Sequence, residues 1–290
     1  MNAPTQRLRE LLAGDAGDGC LVMPCCFDAL SARMIEQAGF DLTFMSGFAV
    51  SATRLAAPDT GLISYGEMLD QGRSICGAVG LPVIGDADTG YGNPLNIQRT
   101  VAGYARAGFA AVMIEDQRAP KRCGHTRGKQ VVARGEALQR IRAAVEAREA
   151  GADILVMART DARAEHGLEE AIERCRGFAD AGADILFLEA PRDESEMEIL
   201  CRALPQLPKM ANVVEDGQTP VLPPERLAEI GYRIAAYPLT LLSVAARAMQ
   251  AALADLAAGR PVERRLSFEA LQALVGFPEY DAALARYDEH

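Results

Sequence analysis

Eight short apolar segments recur along the chain and alternate with amphipathic segments of helical spacing. Each is hydrophobic along its whole length rather than at every second position, which is typical of parallel strands covered on both faces. Eight such units predict an α/β fold of the (β/α)₈ TIM barrel type. A doubly wound open sheet is the alternative, but the echo of "AGADILVMA" (150–158) in "AGADILFLE" (181–189) favours the barrel. The predicted strands are 20–27, 42–48, 81–88, 110–117, 153–161, 184–190, 209–215 and 233–238.

The chain continues beyond the eighth unit. After Gly259 it reads "RPVERRLSFEALQALVGFPEYDAALARYDEH", which predicts short helices. We therefore expect a barrel domain over residues 1–258 and a helical extension over residues 259–290. We expect the extension to pack on its own barrel or on a neighbouring subunit.

Composition argues against several classes of partner. The 290 residues carry a formal net charge of -10, whereas nucleic-acid binding needs a concentrated basic surface. The sequence has no run of about 20 apolar residues, so no membrane span is expected. Seven cysteines without CxxC spacing, and a start without the apolar run of a signal peptide, predict a reduced, cytoplasmic protein.

Carboxylates follow the third and fourth predicted strands, where a barrel places its chemistry. Asp86 and Asp88 in "GDADTGYGN" are two residues apart and would point the same way in an extended strand, and Glu115 could join them from the next strand. This set suits Mg²⁺, with Mn²⁺ as the alternative, whereas zinc would want His and Cys ligands. The acids could instead cap the following helix or pair with Arg159.

Three more polar residues end strands five, six and seven: Arg159, Glu189 and Asn212. Arg159 could clamp a substrate carboxylate through two hydrogen bonds, or form a salt bridge with Asp161 or Glu189. Asn212 could donate its amide to a substrate oxygen, or satisfy a carbonyl at the strand end. The sequence leaves both choices open.

The stretch "KRCGH", residues 121–125, follows strand four by a few residues. A proline and a glycine exclude a regular helix there, so we predict a loop over the strand ends. Lys121 and His125, with the arginine between them, would stabilise a thiolate at Cys123 or keep its thiol ready to give up a proton. The other six cysteines lie in predicted strands or helices and are expected to be small buried hydrophobes.

With "KRCGH" following "GDADTGYGN" and "IEDQ", the sequence resembles the isocitrate lyase and phosphoenolpyruvate mutase superfamily from about residue 20 to residue 250. The resemblance implies a (β/α)₈ barrel, a homotetramer that exchanges a C-terminal helix between subunits, Mg²⁺, and a 2-oxo or 2-hydroxy acid as ligand. The cysteine loop resembles that of the lyases rather than the phosphonate mutases and hydrolases. The long insertions of isocitrate lyase itself have no room in 290 residues.

The resemblance also implies residue roles, which form three sets. The implied metal site consists of Asp86 and Asp88, with Glu115 acting through water. The implied catalytic residues are Asp59, which closes over the site, and the loop residues Lys121, Cys123 and His125. The implied substrate-binding residues are Ser46, Gly47, Phe48, Gly124, Arg159, Glu189 and Asn212.

Two positions depart from the pattern of the methylisocitrate lyases, which read NITEFG after strand seven and place an arginine shortly after "YPL". In this sequence Val213 is taken to replace the threonine and Ser243 the arginine. A third carboxylate would then lack its cation, and breaking a buried ion pair costs about 3–5 kcal/mol. The pattern is more similar to the dimethylmalate lyase and petal-death branch.

We therefore expect a Mg²⁺-dependent carbon–carbon lyase that cleaves a 2-hydroxydicarboxylate of the 2-alkylmalate type, such as 2,3-dimethylmalate, to pyruvate or another 2-oxo acid and a carboxylate. Cys123 would protonate the leaving fragment. The alternatives are a methylisocitrate lyase, a phosphonopyruvate mutase or hydrolase, and an oxaloacetate hydrolase or decarboxylase. A non-catalytic barrel that binds an oxo acid is the alternative outside the enzymes.

Overall fold

A computed structural model describes residues 3–14, 19–125 and 128–288 of the chain. The rest of the expected barrel and extension, residues 1–2, 15–18, 126–127 and 289–290, lies outside the described residues. Eight parallel strands form one sheet in the order β6-β5-β4-β3-β2-β1-β8-β7. A parallel bridge between Leu186 and Lys209 joins the two ends of this order. The sheet therefore closes into a barrel.

Each strand lies inside one of the eight apolar segments, so the (β/α)₈ prediction is confirmed. The strands are shorter than the segments because the polar residues that follow them leave the hydrogen-bonded ladder. The strands are β1 (Leu21–Cys26), β2 (Thr43–Met45), β3 (Val83–Asp86), β4 (Ala111–Glu115), β5 (Leu155–Thr160), β6 (Ile185–Leu188), β7 (Met210–Asn212) and β8 (Ile234–Tyr237).

The helices between the strands begin at residues with the expected capping chemistry. Asp28, Ser64 and Asn93 each start a helix with a capping box, in which the cap side chain and the third helical residue satisfy each other's backbone N–H groups. The helices are α1 (Ala3–Leu12), α2 (Ala29–Gln37), α3 (Gly47–Leu55), α4 (Tyr65–Ala78), α5 (Pro94–Ala107), α6 (Arg134–Glu149), α7 (Ala162–His166), α8 (Leu168–Asp180), α9 (Glu194–Ala203), α10 (Pro224–Ile230), α11 (Thr240–Ala257), α12 (Phe268–Val275) and α13 (Phe277–Asp288).

Alternate side chains along each strand belong to two different hydrophobic clusters. In β4, Val112 and Ile114 belong to the larger cluster, which also contains the helix residues. Ala111 and Met113, on the opposite face, belong to a smaller cluster made mostly of strand residues, which fills the barrel interior. Strands buried on both faces need continuous apolar runs, and this need explains the pattern seen in the sequence.

The chain divides into two compact units, Met1–Leu241 and Leu242–His290. The first contains all eight strands, and the second contains most of α11 followed by α12 and α13. The predicted helices beyond the eighth unit are therefore confirmed. The predicted boundary at residue 258 falls at the end of α11 and stays a prediction, as does helix exchange between subunits. In the described part of the chain, no helix has the length and apolar character needed to cross a membrane.

Candidate active site

A pocket at the carboxyl ends of the strands brings together most of the residues predicted for the site. Its polar lining consists of Ser46, Asp59, Asp86, Lys121, Arg122, Cys123, Gly124, His125, Arg159, Glu189 and Asn212. Its apolar lining consists of Cys25, Phe44, Phe48, Met113, Phe187, Met210, Val214, Ala236, Pro238 and Leu239. The predicted site residues Gly47, Asp88 and Glu115 lie behind this lining, each in contact with one of its members.

Ser46 and Gly47 form the turn from β2 into α3. Ser46 caps the helix, because its Oγ accepts the backbone N–H of Ala49 at 3.3 Å. The N–H of Gly47 donates to Oδ2 of Asp86 at 3.2 Å, and a Cβ at this position would collide with the same carboxylate. The amide of Gly47 therefore holds Asp86 in place and is engaged before any substrate carboxylate arrives.

Asp86 and Asp88 do not share an extended strand, and that part of the prediction is wrong. β3 ends at Asp86, and Asp88 has a left-handed backbone with φ 49°. The N–H of Asp88 donates to Oδ1 of Asp86 at 3.0 Å, a local turn that aspartate favours. The two carboxylates are neighbours because of this turn, and Asp86 lines the pocket while Asp88 does not.

Lys121 is buried among carboxylates. Its Nζ lies 2.5 Å from Oδ1 of Asp59 and 2.8 Å from Oδ1 of Asp88. Burial acts to lower the pKa of Lys121, but Asp88, Asp86 and Asp59 outweigh burial and raise it well above its ordinary value. Lys121 is therefore a cation that pairs with Asp59 and Asp88.

This acidic end of the pocket fits a divalent cation. Burial, opposed by Lys121 and reinforced by Asp86 and Asp59, raises the pKa of Asp88 to about 7. Burial also raises the pKa of Glu115 well above its ordinary value, and its Oε1 is buried without a hydrogen-bond partner. Carboxylate oxygens of this kind, with Oε1 of Glu115 left without a partner, are the hard donors that suit Mg²⁺. No three His, Cys, Asp or Glu side chains of the described residues form a ready ligand cage, so water would complete the coordination, as is common for Mg²⁺.

Arg159 lies in a buried network of ion pairs. Its Nε lies 2.8 Å from Oδ2 of Asp161 and 3.3 Å from Oε2 of Glu115, and its Nη2 lies 3.0 Å from Oε2 of Glu189. The salt-bridge alternative is thus realised, yet Arg159 also lines the pocket. Asn212 donates its amide to both oxygens of Glu189, at 3.3 and 3.2 Å. Asp161 and Glu189 therefore orient the guanidinium of Arg159, and Glu189 orients the amide of Asn212.

The segment 121–125 is a loop over the strand ends, as predicted, and its Cys123 is half-buried in the pocket lining. Burial raises the pKa of this thiol, and the carboxylates of Asp59 and Glu189 add to the effect. The backbone N–H of His125 and the guanidinium of Arg159 oppose the shift without reversing it. Of the two sequence alternatives, the structure therefore favours a protonated thiol over a stabilised thiolate.

His125 is held between β6 and the loop that follows β7. Its Nε2 lies 3.2 Å from Oε1 of Glu189, and its Nδ1 accepts the backbone N–H of Gln218 at 3.1 Å. A neutral ring nitrogen that accepts a hydrogen bond carries no proton, so Nε2 bears the hydrogen and donates it to Glu189. Burial acts to raise the pKa of Glu189, but Arg159 and His125 hold it well below its ordinary range. The imidazole therefore donates to Glu189, and the backbone N–H of His125 is the group that acts on the thiol of Cys123.

Two acids at strand ends lie away from the pocket lining. Asp116 accepts hydrogen bonds from Nη1 of Arg174 at 2.9 Å and from Oγ1 of Thr160 at 2.6 Å. Glu215 is exposed and accepts the hydroxyl of Thr240 at 2.5 Å. Position at a strand end is therefore insufficient to identify a site residue, because the direction of the side chain decides which face it reaches.

Two residues of the pocket lining, Val214 and Cys25, were not predicted from the sequence. Val213 is fully buried in the larger cluster, whereas Val214 lines the pocket. Counted from Asn212, the threonine of the NITEFG pattern corresponds to Val214, so Val213 is the wrong residue for contact with substrate. Cys25 is a buried hydrophobe as expected, but it also lines the pocket. It lies two residues after Met23 in β1 and therefore points to the same interior face, which could have identified it from the sequence.

Comparison with known proteins identifies the family. Residues 8–257 match the family described as phosphoenolpyruvate phosphomutase, and this range contains all eight strands. The chain belongs to the phosphoenolpyruvate mutase and isocitrate lyase superfamily. The resemblance carried by "KRCGH" is thereby confirmed.

Three sequence relatives come from this superfamily. The chain is 43% identical to 2,3-dimethylmalate lyase of Eubacterium barkeri over 243 residues, covering 84% of this chain and 82% of the relative. It is 44% identical to the petal death protein of Dianthus caryophyllus over 232 residues, covering 80% and 72%. It is 43% identical to the probable 2-methylisocitrate lyase 2 of Corynebacterium glutamicum over 255 residues, covering 88% and 82%. Near-equal identities do not separate a dimethylmalate lyase from a methylisocitrate lyase.

Solved structures of superfamily members superimpose on nearly the whole chain. The crystal structure of 2,3-dimethylmalate lyase has a TM-score of 0.92 at 37% identity, covering 99% of this chain and 96% of that one. Oxaloacetate acetylhydrolase in complex with 3,3-difluorooxalacetate has a TM-score of 0.92 at 36% identity, covering 97% and 96%. Phosphonopyruvate hydrolase in complex with oxalate and Mg²⁺ has a TM-score of 0.86 at 29% identity, covering 98% and 99%. Members of the superfamily thus bind Mg²⁺ and small acids.

Proposed function

We propose that this protein is a Mg²⁺-dependent carbon–carbon lyase that cleaves a 2-alkylmalate, such as 2,3-dimethylmalate, to pyruvate or another 2-oxo acid and a carboxylate. The observation that carries the proposal is the half-buried thiol of Cys123, whose pKa burial raises, in the lining of a pocket that also contains acids, Arg159 and apolar side chains. Breaking a carbon–carbon bond leaves a carbanion-like fragment, which needs a proton donor on carbon.

The lining of the pocket supports a dicarboxylate with alkyl groups. Arg159 and Asn212 offer donors to carboxylate oxygens, whereas Val214, Pro238 and Leu239 offer apolar surface. A third carboxylate placed against that surface would be desolvated without a partner, at a considerable free-energy cost. A methylisocitrate lyase would need Arg122, an exposed loop residue that also lines the pocket, to bind it.

In the proposed reaction, a carboxylate of the pocket removes the proton of the substrate's 2-hydroxyl, and we assign this step to Asp59, which lies beside Lys121 in the lining. The C2–C3 bond then breaks, C2 becomes the carbonyl carbon of the 2-oxo acid, and the electron pair passes to C3 and its carboxylate. The thiol of Cys123 gives its proton to C3. The proton held by Asp59 returns to the sulfur through solvent after the products leave.

The remaining residues bind and orient. Arg159 and Ser46 would hold a substrate carboxylate, and Asn212 a second oxygen. Asp86 and Asp88 would hold Mg²⁺, with Glu115 acting through water. When bound, the ion supplies electrostatic stabilisation of the substrate oxygens.

An oxaloacetate hydrolase is the second candidate, favoured by the close superposition on oxaloacetate acetylhydrolase. A hydrolase must hold an attacking water, and neither Pro238 nor Leu239 in the lining has a side-chain acceptor or donor that could bind it. The test is to incubate the purified protein and MgCl₂ with 2,3-dimethylmalate, 2-methylisocitrate, oxaloacetate or phosphonopyruvate and to quantify the products by chromatography. We expect the highest kcat/KM for 2,3-dimethylmalate. A higher value for any of the other three would overturn the substrate assignment.

We also propose that the protein is a cytoplasmic homotetramer that exchanges a C-terminal helix between subunits. The support is the family and the apolar side chains that the C-terminal helices expose, which include Phe268, Tyr280 and Tyr287 at 74%, 66% and 80% exposure. Apolar surface of this kind is rarely left in water by a monomer.

A further inference from the structure

Lys129, four residues after the "KRCGH" loop, is a buried cation to which sequence reasoning gave no role. Its side chain is 3% exposed. Its Nζ donates to Oδ1 of Asp161 at 2.7 Å and to the backbone carbonyl of Gly124. A buried lysine is costly unless its charge is paired, so the position of this ammonium needs an explanation.

The carboxylate that pairs with Lys129 also orients Arg159. Oδ2 of Asp161 accepts from Nε of Arg159 at 2.8 Å, and Oδ1 accepts from Nη2 at 3.1 Å. Oδ1 is therefore shared between Lys129 and Arg159. One buried acid thus connects a lysine beside the loop to a pocket arginine.

The other partner of Lys129 is the tightest point of the loop. Gly124 is buried and lines the pocket, and a Cβ there would collide with the carboxylate of Glu189 and the guanidinium of Arg159. Lys129 pulls the carbonyl of this glycine toward the same network. The peptide next to Cys123 is therefore seated on Arg159 and Glu189 and tied there by one ammonium.

We infer that Lys129 is a positioning residue that latches the Cys123 loop over the pocket by tying Gly124 to Asp161. The inference rests on the proposed function, in which the thiol must reach the leaving carbon. Closure of a loop over a barrel pocket excludes water and completes the catalytic set. Without the ammonium, the glycine carbonyl loses its buried donor and the loop spends more time away from the site.

The test uses Lys129→Met, which keeps the length of the side chain and removes the charge, and Lys129→Gln, which keeps one donor and is less disruptive. Iodoacetamide modification of Cys123 is followed by mass spectrometry, without ligand and with oxalate plus Mg²⁺. Cys76, half-buried on α4, is the internal control.

We expect the modification rate of Cys123 in Lys129→Met to rise about tenfold or more, the size typical of losing a hydrogen bond to a charged group. Oxalate plus Mg²⁺ should protect the thiol in the wild type and protect it less in the variant. The rate at Cys76 should stay constant, kcat should fall more than KM changes, and Lys129→Gln should be intermediate. If Lys129→Met does not fold, the rise at Cys123 in Lys129→Gln is the test.

An unchanged rate at Cys123 in a folded variant would overturn the inference. An equal rise at Cys76 would overturn it as well, because Lys129 would then support the fold as a whole. The modification assay needs no turnover, so a wrong substrate assignment leaves its outcome unaffected. If the modification rate of Cys123 rises in Lys129→Met as expected but the wild-type protein has no lyase activity, the proposed function alone is refuted.

Discussion

Burial and neighbouring charges together shift the pKa values of the residues at the centre of the proposed chemistry. At Cys123 burial and the neighbouring carboxylates favour the neutral thiol. A proton donor must hold its proton at the working pH, so a raised pKa suits an acid and would handicap a nucleophile. At Lys121 the surrounding acids raise the pKa of the side chain and so keep it positively charged.

The raised pKa of Cys123 predicts the alkaline limb of the pH profile. The protonated thiol is the active form, so the requirement for the Cys123 proton is met below the thiol pKa of the folded enzyme and is lost as the pH rises through it. Turnover should stay level past about pH 8.5, where an ordinary thiol titrates, and decline only above it. The measurement is kcat on 2,3-dimethylmalate across the neutral and alkaline range. A decline centred below the ordinary thiol pKa would contradict the role of burial.

The carboxylate of Asp86 is a second single group whose role can be tested. Asp86→Asn keeps the shape of the side chain and removes its charge, so Mg²⁺ should bind more weakly and turnover should fall by about 10²-fold or more while the fold is retained. Calorimetric titration with Mg²⁺ and an assay in chelator check this expectation. Glu215→Gln, a change at an exposed strand-end acid outside the pocket, is the matched control and should remain active. Full activity of wild-type enzyme in chelator would rule out the metal site.

Among the elements, the β2–α3 turn couples a helix start to the acidic end of the pocket. Gly47→Ala should displace the Asp86 carboxylate, because the added Cβ would occupy its place. A shift of about 1 Å in a catalytic group can reduce turnover by roughly 10²-fold. Gly77→Ala on α4, where a Cβ meets nothing within 4 Å, is the control and should keep full activity. Normal kinetics in Gly47→Ala would show that this turn does not position Asp86.

The elements were predictable because their signals are local. Apolar runs reveal parallel strands buried on both faces, and strand ends reveal most of the pocket. The turn at Asp88 was not predictable, because a left-handed conformation at a non-glycine residue depends on its surroundings. The contact of His125 with Gln218, 93 residues apart, has no local signal either. The role of Lys129 was not predictable either, because its partners, Asp161 and Gly124, come together only in the folded barrel.

For the whole molecule, the second unit raises the question of what covers its apolar residues. Large apolar side chains of this unit are exposed at Val244, Met249, Leu253, Leu256, Leu266, Phe268, Leu271, Val275, Phe277, Tyr280, Leu284 and Tyr287. Exposed apolar surface of this extent usually marks an interaction site. Exchange of a helix between subunits would cover such residues.

Removal of residues 260–290 tests this expectation. The full chain should be larger than a monomer in solution, and the shortened chain should aggregate or lose that oligomeric state, because the residues that hold the subunits together are gone. Light scattering coupled to size exclusion measures both species. A monodisperse full-length monomer would count against the proposed tetramer.

The most direct test of the central claim is the Cys123→Ser enzyme assayed on 2,3-dimethylmalate, with Cys76→Ser as the matched control. A hydroxyl is similar in size to a thiol, so the variant should bind oxalate and Mg²⁺ with near-normal affinity. A hydroxyl also has a far higher pKa and is therefore a much weaker proton donor. Turnover should fall by about 10²–10⁴-fold, the range of general acid catalysis, and the control should be unaffected. Near-normal turnover in Cys123→Ser would mean that the proton comes from another group and would contradict the account.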